Sequence, residues 1–193
     1  QDDVIADAEQ TVNALASKMA AVNRRAMPVR MRLRTEKEPA ARARLLAVLP
    51  LTADGSALAE LRTAMRDPSP EVSDAAVRAI AAWPTASAYD DVMQVARESK
   101  DETHRLLAIQ ALIRMLTLDT SRQPASAVGD LRAVAGMASR PEERRLVLGA
   151  LAQFPGPEAL EAARSFLSDA SVKAEAEAAV ESINKQMTRP WFR

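Results

Sequence analysis

The stretch Asp67-Pro68-Ser69-Pro70-Glu71-Val72-Ser73-Asp74-Ala75-Ala76-Val77-Arg78-Ala79-Ile80-Ala81-Ala82-Trp83-Pro84 decides how this chain is read. It runs turn, helix, turn. Asp67 to Glu71 supplies a cap, a proline near the first helical turn and an acid at the positive end of the helix. Val72, Ala76, Ala79, Ile80 and Trp83 then follow the i, i+4, i+7, i+8, i+11 stripe of an amphipathic helix. Pro84 stops it.

Working outward, the same pattern returns. Leu49-Pro50, Trp83-Pro84 and Phe154-Pro155 each follow a large apolar residue three positions earlier, namely Leu46, Ile80 and Leu151. Leu112 with Met115 and Val180 with Ile183 repeat the spacing without a proline. The five anchors Leu46, Ile80, Leu112, Leu151 and Val180 therefore stand 34, 32, 39 and 29 residues apart, the length of one helical hairpin. The longest gap holds the extra turn Asp119-Thr120-Ser121-Arg122-Gln123-Pro124.

A first helix precedes each second one. Its stripe is Leu58, Leu61 and Met65, then Tyr89, Val92, Met93 and Ala96, then Val128, Leu131 and Ala135, then Leu160, Ala163 and Leu167. Leu106 to Leu116 is apolar around most of its circumference, which predicts a helix buried between neighbours. Asp101-Glu102 and Arg140-Pro141-Glu142-Glu143 mark further helix starts, and Pro155-Gly156 a stop. Asp3 to Met19 is an amphipathic helix with Ile5, Ala8, Val12, Leu15, Ala16 and Met19 on one face. Val29 to Arg34 alternates as a strand does; with no partner strand in the sequence, it is expected to be irregular or helical.

Composition narrows the function classes. Of 193 residues 48% are hydrophobic but only 3% aromatic, so the core is aliphatic and offers little for an aromatic-lined ligand pocket. Lys plus Arg and Asp plus Glu both count 26, a balance that argues against a dedicated nucleic-acid protein. Without cysteine there is no disulfide, thiolate metal site or cysteine nucleophile. No run of 18 apolar residues exists, so the sequence as given predicts no membrane insertion. Gln1 in place of an initiating Met is expected of a processed product or an excised piece. A removed signal peptide would favour an extracytoplasmic (periplasmic or secreted) location over a cytoplasmic one.

Catalytic patterns are not found. His104 is the sole histidine and is expected to be partly buried and hydrogen-bonded at a helix start. Asp2-Asp3, Asp90-Asp91 and Glu142-Glu143 are adjacent on helices, where side chains diverge by about 100°, so the members of a pair do not converge on one bond as hydrolase acids must. Neither a nucleophile elbow nor a phosphate-binding glycine loop occurs. No cofactor and no metal is expected.

The turn Asp67-Pro68 with Val72, followed by Ala76 in an Ala-rich second helix, resembles a HEAT repeat, and Asp169, Val172, Lys173 and Ala176 resemble it again. The resemblance covers roughly residues 38 to 185 and is similar to HEAT-repeat regions of multidomain bacterial proteins, some of them secreted beside a sugar-processing or redox domain. It implies an all-α fold, a right-handed α-α superhelix (solenoid) of about five helical hairpins. The domain reading is an N-terminal helical cap over 1–37, the repeat domain over 38–187, and an aromatic tail or linker start over 188–193. Trp191 and Phe192 in that tail either cap the open end of the stack or lead to another domain. The basic residue that the family places after the turn Val is Ser73 in the clearest unit, and Arg105, Arg144 and Lys173 elsewhere.

By the same resemblance the second helices line the concave surface, the usual place for a partner. Arg78, Arg105, Arg114, Arg144 and Arg145 lie on those helices and are the candidate partner-binding residues. The function expected is a non-enzymatic scaffold that engages a protein or peptide. One rival is nucleic-acid engagement, including a HEAT-like DNA glycosylase, through Arg24, Arg25, Arg30, Arg32 and Arg34. The other is a structural spacer beside an enzymatic domain.

Overall fold

Proline sets the starts of these helices. Pro39, Pro70, Pro124, Pro141 and Pro157 each open one, where the missing N–H costs nothing and the fixed φ is already helical. The computed structural model describes residues 24–189; the helix expected over Asp3 to Met19 and the Trp191-Phe192 tail lie outside the described residues. The α-helices in order are α1 (Met27–Thr35), α2 (Pro39–Thr52), α3 (Leu58–Ala64), α4 (Pro70–Ala81), α5 (Tyr89–Glu98), α6 (Glu102–Leu118), α7 (Pro124–Met137), α8 (Pro141–Leu151), α9 (Pro157–Arg164) and α10 (Lys173–Met187). No strand occurs among the described residues. The fold is all-α and of solenoid type, as expected, with helices packed as sequence-adjacent pairs.

The chain divides into two compact units, 1–107 and 108–193, and the division falls inside α6. In the first, α1 packs on α2, α2 and α3 both pack on α4, and α4 packs on α5. In the second, α7 packs on α8, while α8 and α9 both pack on α10. Within each unit a second helix thus touches its own hairpin partner and the second helix of the next hairpin. That is the nearest-neighbour packing of a repeat stack.

The buried stripe fixes the equivalence between repeats. Ile80 is fully buried, with Ala76 and Val72 fully buried four and eight residues earlier. The corresponding residues are Leu49, Leu112 and Leu151, all fully buried, and half-buried Val180. Burying one such side chain contributes about 1.5–3 kcal/mol. Ala76, Ala108 and Ala176 occupy one slot at 0% exposure, where a small side chain lets neighbouring helices approach.

The first repeat corrects the sequence reading. Its anchor is Leu49 rather than Leu46, one helical turn further on, and Pro50 does not end the helix. Proline stands inside the last turn of α2, which continues to Thr52 and closes through Ala53 in the left-handed conformation, φ 50° and ψ 22°. The slot of Trp83 is therefore held in the first repeat by Thr52, fully buried, whose hydroxyl donates to the Leu49 carbonyl at 2.7 Å. Trp83 itself is a packing residue at 0% exposure, its indole N–H donating to Ser87 Oγ at 3.0 Å.

Val29 to Arg34 is helical, within α1. Alternation there has a local origin: Val29 turns inward while Met27 and Met31 remain exposed, and Arg30 reaches along the surface to Glu60. Asp54 anchors this hairpin. It is 1% exposed, accepting from the Ala26 N–H at 3.1 Å through Oδ2 and from the Ser56 N–H at 3.0 Å through Oδ1.

Candidate functional site

Two turns are built alike. Arg42 Nη2 donates to Asp67 Oδ2 at 2.6 Å, and Asp67 Oδ1 accepts from the Ser69 N–H at 3.0 Å. Arg144 Nη1 donates to Asp169 Oδ2 at 2.6 Å, and Asp169 Oδ1 accepts from the Ser171 N–H at 2.9 Å and the Ser171 hydroxyl at 2.7 Å. In both the arginine stands 25 residues before its acid, so a second helix holds the turn that opens the next. Hydrogen bonding from Arg42, and then from the Ser69 N–H, holds the Asp67 carboxyl below its ordinary range. For Asp169 the Ser171 hydroxyl and N–H come first and Arg144 adds to them. Arg144 also donates from Nε to the Ala138 carbonyl at 3.1 Å, so its guanidinium is committed to this rung.

Arg42 escapes the sequence reading because Leu46, not Leu49, reads as the anchor there. Counting seven back from Leu49 gives Arg42, as seven back from Ile80, Leu112, Leu151 and Val180 gives Ser73, Arg105, Arg144 and Lys173. The signal is therefore present, one turn out of step.

A second set of pairs runs between first helices. Arg30 Nε donates to Glu60 at 2.6 Å, with Nη1 on Ser56 Oγ at 2.9 Å. Arg62 donates to both Asp91 oxygens at 2.7 and 2.9 Å, which raises the guanidinium's affinity for its proton. Of the Arg-rich segment, Arg30 and Arg32 are thus engaged by Glu60 and Glu36.

The second helices carry the candidate residues. On α4, Arg78 Nε donates to Asp74 Oδ2 at 2.8 Å, and His104 Nε2 of α6 lies 2.7 Å from Asp74 Oδ1. Arg78 first, then His104, keeps the Asp74 carboxyl below its usual range. His104 is partly buried at the start of α6, where its N–H and that of Thr103 donate to Asp101 Oδ1 at 3.0 and 2.7 Å, as the sequence suggested. In the other unit, Arg145 Nε donates to Glu175 at 2.7 Å and Nη2 to the Ser171 carbonyl at 3.2 Å. Arg105 is half-buried and Arg114 exposed on α6. Arg78 and Arg105 belong to the first unit, Arg114, Arg144 and Arg145 to the second.

The adjacent carboxylates do separate jobs. Asp91 binds Arg62, whereas Glu143 is 3% exposed and caps α8, Oε2 accepting from the Ser139 and Arg140 N–H groups at 2.7 and 3.1 Å. Glu143 fills the slot that Val72 holds in α4. Among the described residues no group of three or more His, Asp or Glu is placed to hold a metal ion.

Residues 27–113 match the family model for HEAT repeats. The matched segment is a HEAT-repeat region, and the all-α packing of the described residues fits a HEAT-repeat protein. The matched segment runs from α1 into α6. No curated protein and no solved structure matches the chain. HEAT repeats commonly serve as scaffolds for protein interactions, and no helix among the described residues is long and apolar enough to cross a membrane.

Proposed function

We propose that this protein is a non-enzymatic HEAT-repeat scaffold that binds a protein or peptide partner along the exposed faces of its second helices. The observation that carries the reading is Arg78. It stands about half-exposed on α4, and only its Nε is engaged, by Asp74. Neither terminal nitrogen has a hydrogen-bond partner among the described residues, which leaves both for an acidic or carbonyl-bearing partner. Arg114 and Arg145, exposed on α6 and α8, place further positive charge on second helices of the second unit, Arg145 while bonded to Glu175 and the Ser171 carbonyl. Arg144 supports the turn instead, so its loss would act through the fold.

The test is affinity capture from the native source lysate, quantified by mass spectrometry, with the wild-type chain and an Arg78→Glu/Arg114→Glu variant as baits. The variant should keep its helical circular dichroism and lose the specifically captured partner. A partner retained undiminished by the folded variant would contradict the assignment of the second-helix faces.

A further inference from the structure

Two grooves in the first unit are copies of one another, one repeat apart. The first, about 280 Å³, lies against Arg34, Leu46, Glu60 and Ala64. In the second, about 440 Å³, Arg66, Val77, Asp91 and Val95 stand at the same places. They differ most at one position. Arg42 lines the first groove and reaches Asp67, whereas its counterpart in the second is Ser73, whose hydroxyl turns back to the Pro70 carbonyl at 3.1 Å. The larger groove is the one that lacks the guanidinium.

An acid lines this groove too: the turn role of Asp67 passes to Asp101, whose Oδ1 accepts from the Thr103 N–H, but Glu98 at the end of α5 lines the second groove and is exposed. Its Oε2 accepts from Gln94 Nε2 at 2.9 Å, and no cation pairs with it among the described residues. Of the other charges there, Arg62 holds Asp91 and His104 lies against Asp74, while the exposed Arg66 makes no ion pair among the described residues. Met65, Val77 and Val95 supply an aliphatic wall of the kind along which an arginine stem packs.

We propose that this groove is a vacant rung that receives an arginine side chain from the partner, its guanidinium bonding Glu98 as Arg42 bonds Asp67. A planar guanidinium suits a carboxylate that still has one oxygen unengaged, where a compact ammonium would make a single contact. Arg66 does not forbid it, because Arg34 stands beside Arg42 at the same place in the first groove. The inference rests on the protein-scaffold reading and adds a second, basic determinant to the partner.

The experiment is a ¹⁵N-resolved NMR titration of the full chain with N-acetyl-arginine methylamide, and separately with its neutral citrulline analogue. Saturable shifts are expected at amides around Ser73 and from Gln94 to Ser99. Citrulline should bind about tenfold more weakly, as loss of the charge-assisted bond implies. Ser73→Arg, which fills the rung from within, should abolish the shifts, and so should Glu98→Gln, which leaves the groove open. Absence of saturation, equal binding of citrulline, or shifts that persist in either variant would overturn the site. None of these results touches the capture experiment on Arg78 and Arg114, which tests the scaffold function at other residues.

Discussion

The first and second HEAT repeats face the same packing problem with different residues at two slots. Where α2 has Arg42, α4 has Ser73; where α2 has Thr52, the slot after α4 has Trp83. The first repeat therefore relies on an ion pair to the next turn and on a small, self-bonded side chain at its end. The second relies on a large buried ring and leaves the ion pair unmade. Position in the repeat determines what must be filled, and the residue present determines whether apolar contact or hydrogen bonding fills it.

The largest expected contrast is at the end slot. Trp83→Ala removes a fully buried ring and should cost about 3–5 kcal/mol, whereas Thr52→Ala loses a hydroxyl bonded locally to the Leu49 carbonyl and the Asp54 N–H and should cost about 1–2 kcal/mol. Urea unfolding followed by far-ultraviolet circular dichroism measures both. Equal costs would show that the two residues are not equivalent.

Next is the rung. Asp67→Ala deprives Arg42 and the Ser69 N–H of their acceptor and should cost about 1–2 kcal/mol, while Ser73→Ala should change stability by less than about 0.5 kcal/mol. A large loss at Ser73 would mean that its groove is already supported from within.

The rung also has a pH signature. Because the folded Asp67 carboxyl is held below its ordinary value, its contribution is fully present above the unfolded Asp pKa of about 4 and is lost as pH falls through the lower folded value. Denaturation midpoints of the wild type and Asp67→Asn should therefore differ near neutrality and converge toward about pH 2. Parallel curves would remove the ion pair from the account.

The smallest effect is at Ala53. It is the single described non-glycine residue with positive φ, and Ala53→Gly should raise stability by a few tenths of a kcal/mol to about 1 kcal/mol, seen as a higher thermal midpoint. The second repeat has no such residue after α4, so no glycine substitution there should help.

Much of this was legible in the sequence. The 3.6-residue stripes, the prolines at helix starts and the Asp-Pro turn placed the hairpins, because burial and capping act locally and leave a periodic trace. The register of the first repeat was less legible. Leu45, Leu46 and Leu49 are all apolar, and Leu46 with Leu49-Pro50 imitates the spacing of Ile80 with Trp83-Pro84. Only packing against α4 distinguishes the two alignments. The site was less legible still, since Arg144 reads as a surface cation until Asp169 is seen beside it, and Asp54 gives no sign of bridging to the Ala26 N–H. Long-range hydrogen bonds join residues whose separation along the chain carries no period.

The equivalence of Arg42 and Ser73 is the claim on which both grooves depend. A double-mutant cycle tests it most directly: unfolding free energies of the wild type, Ser73→Arg, Glu98→Ala and the double variant, set beside the matching cycle for Arg42→Ala and Asp67→Ala. A coupling of about 1 kcal/mol in both cycles, with the same sign of attraction, is the predicted result. A guanidinium introduced by Ser73→Arg that couples to Asp67 and not to Glu98, or no coupling at all between positions 73 and 98, would contradict it.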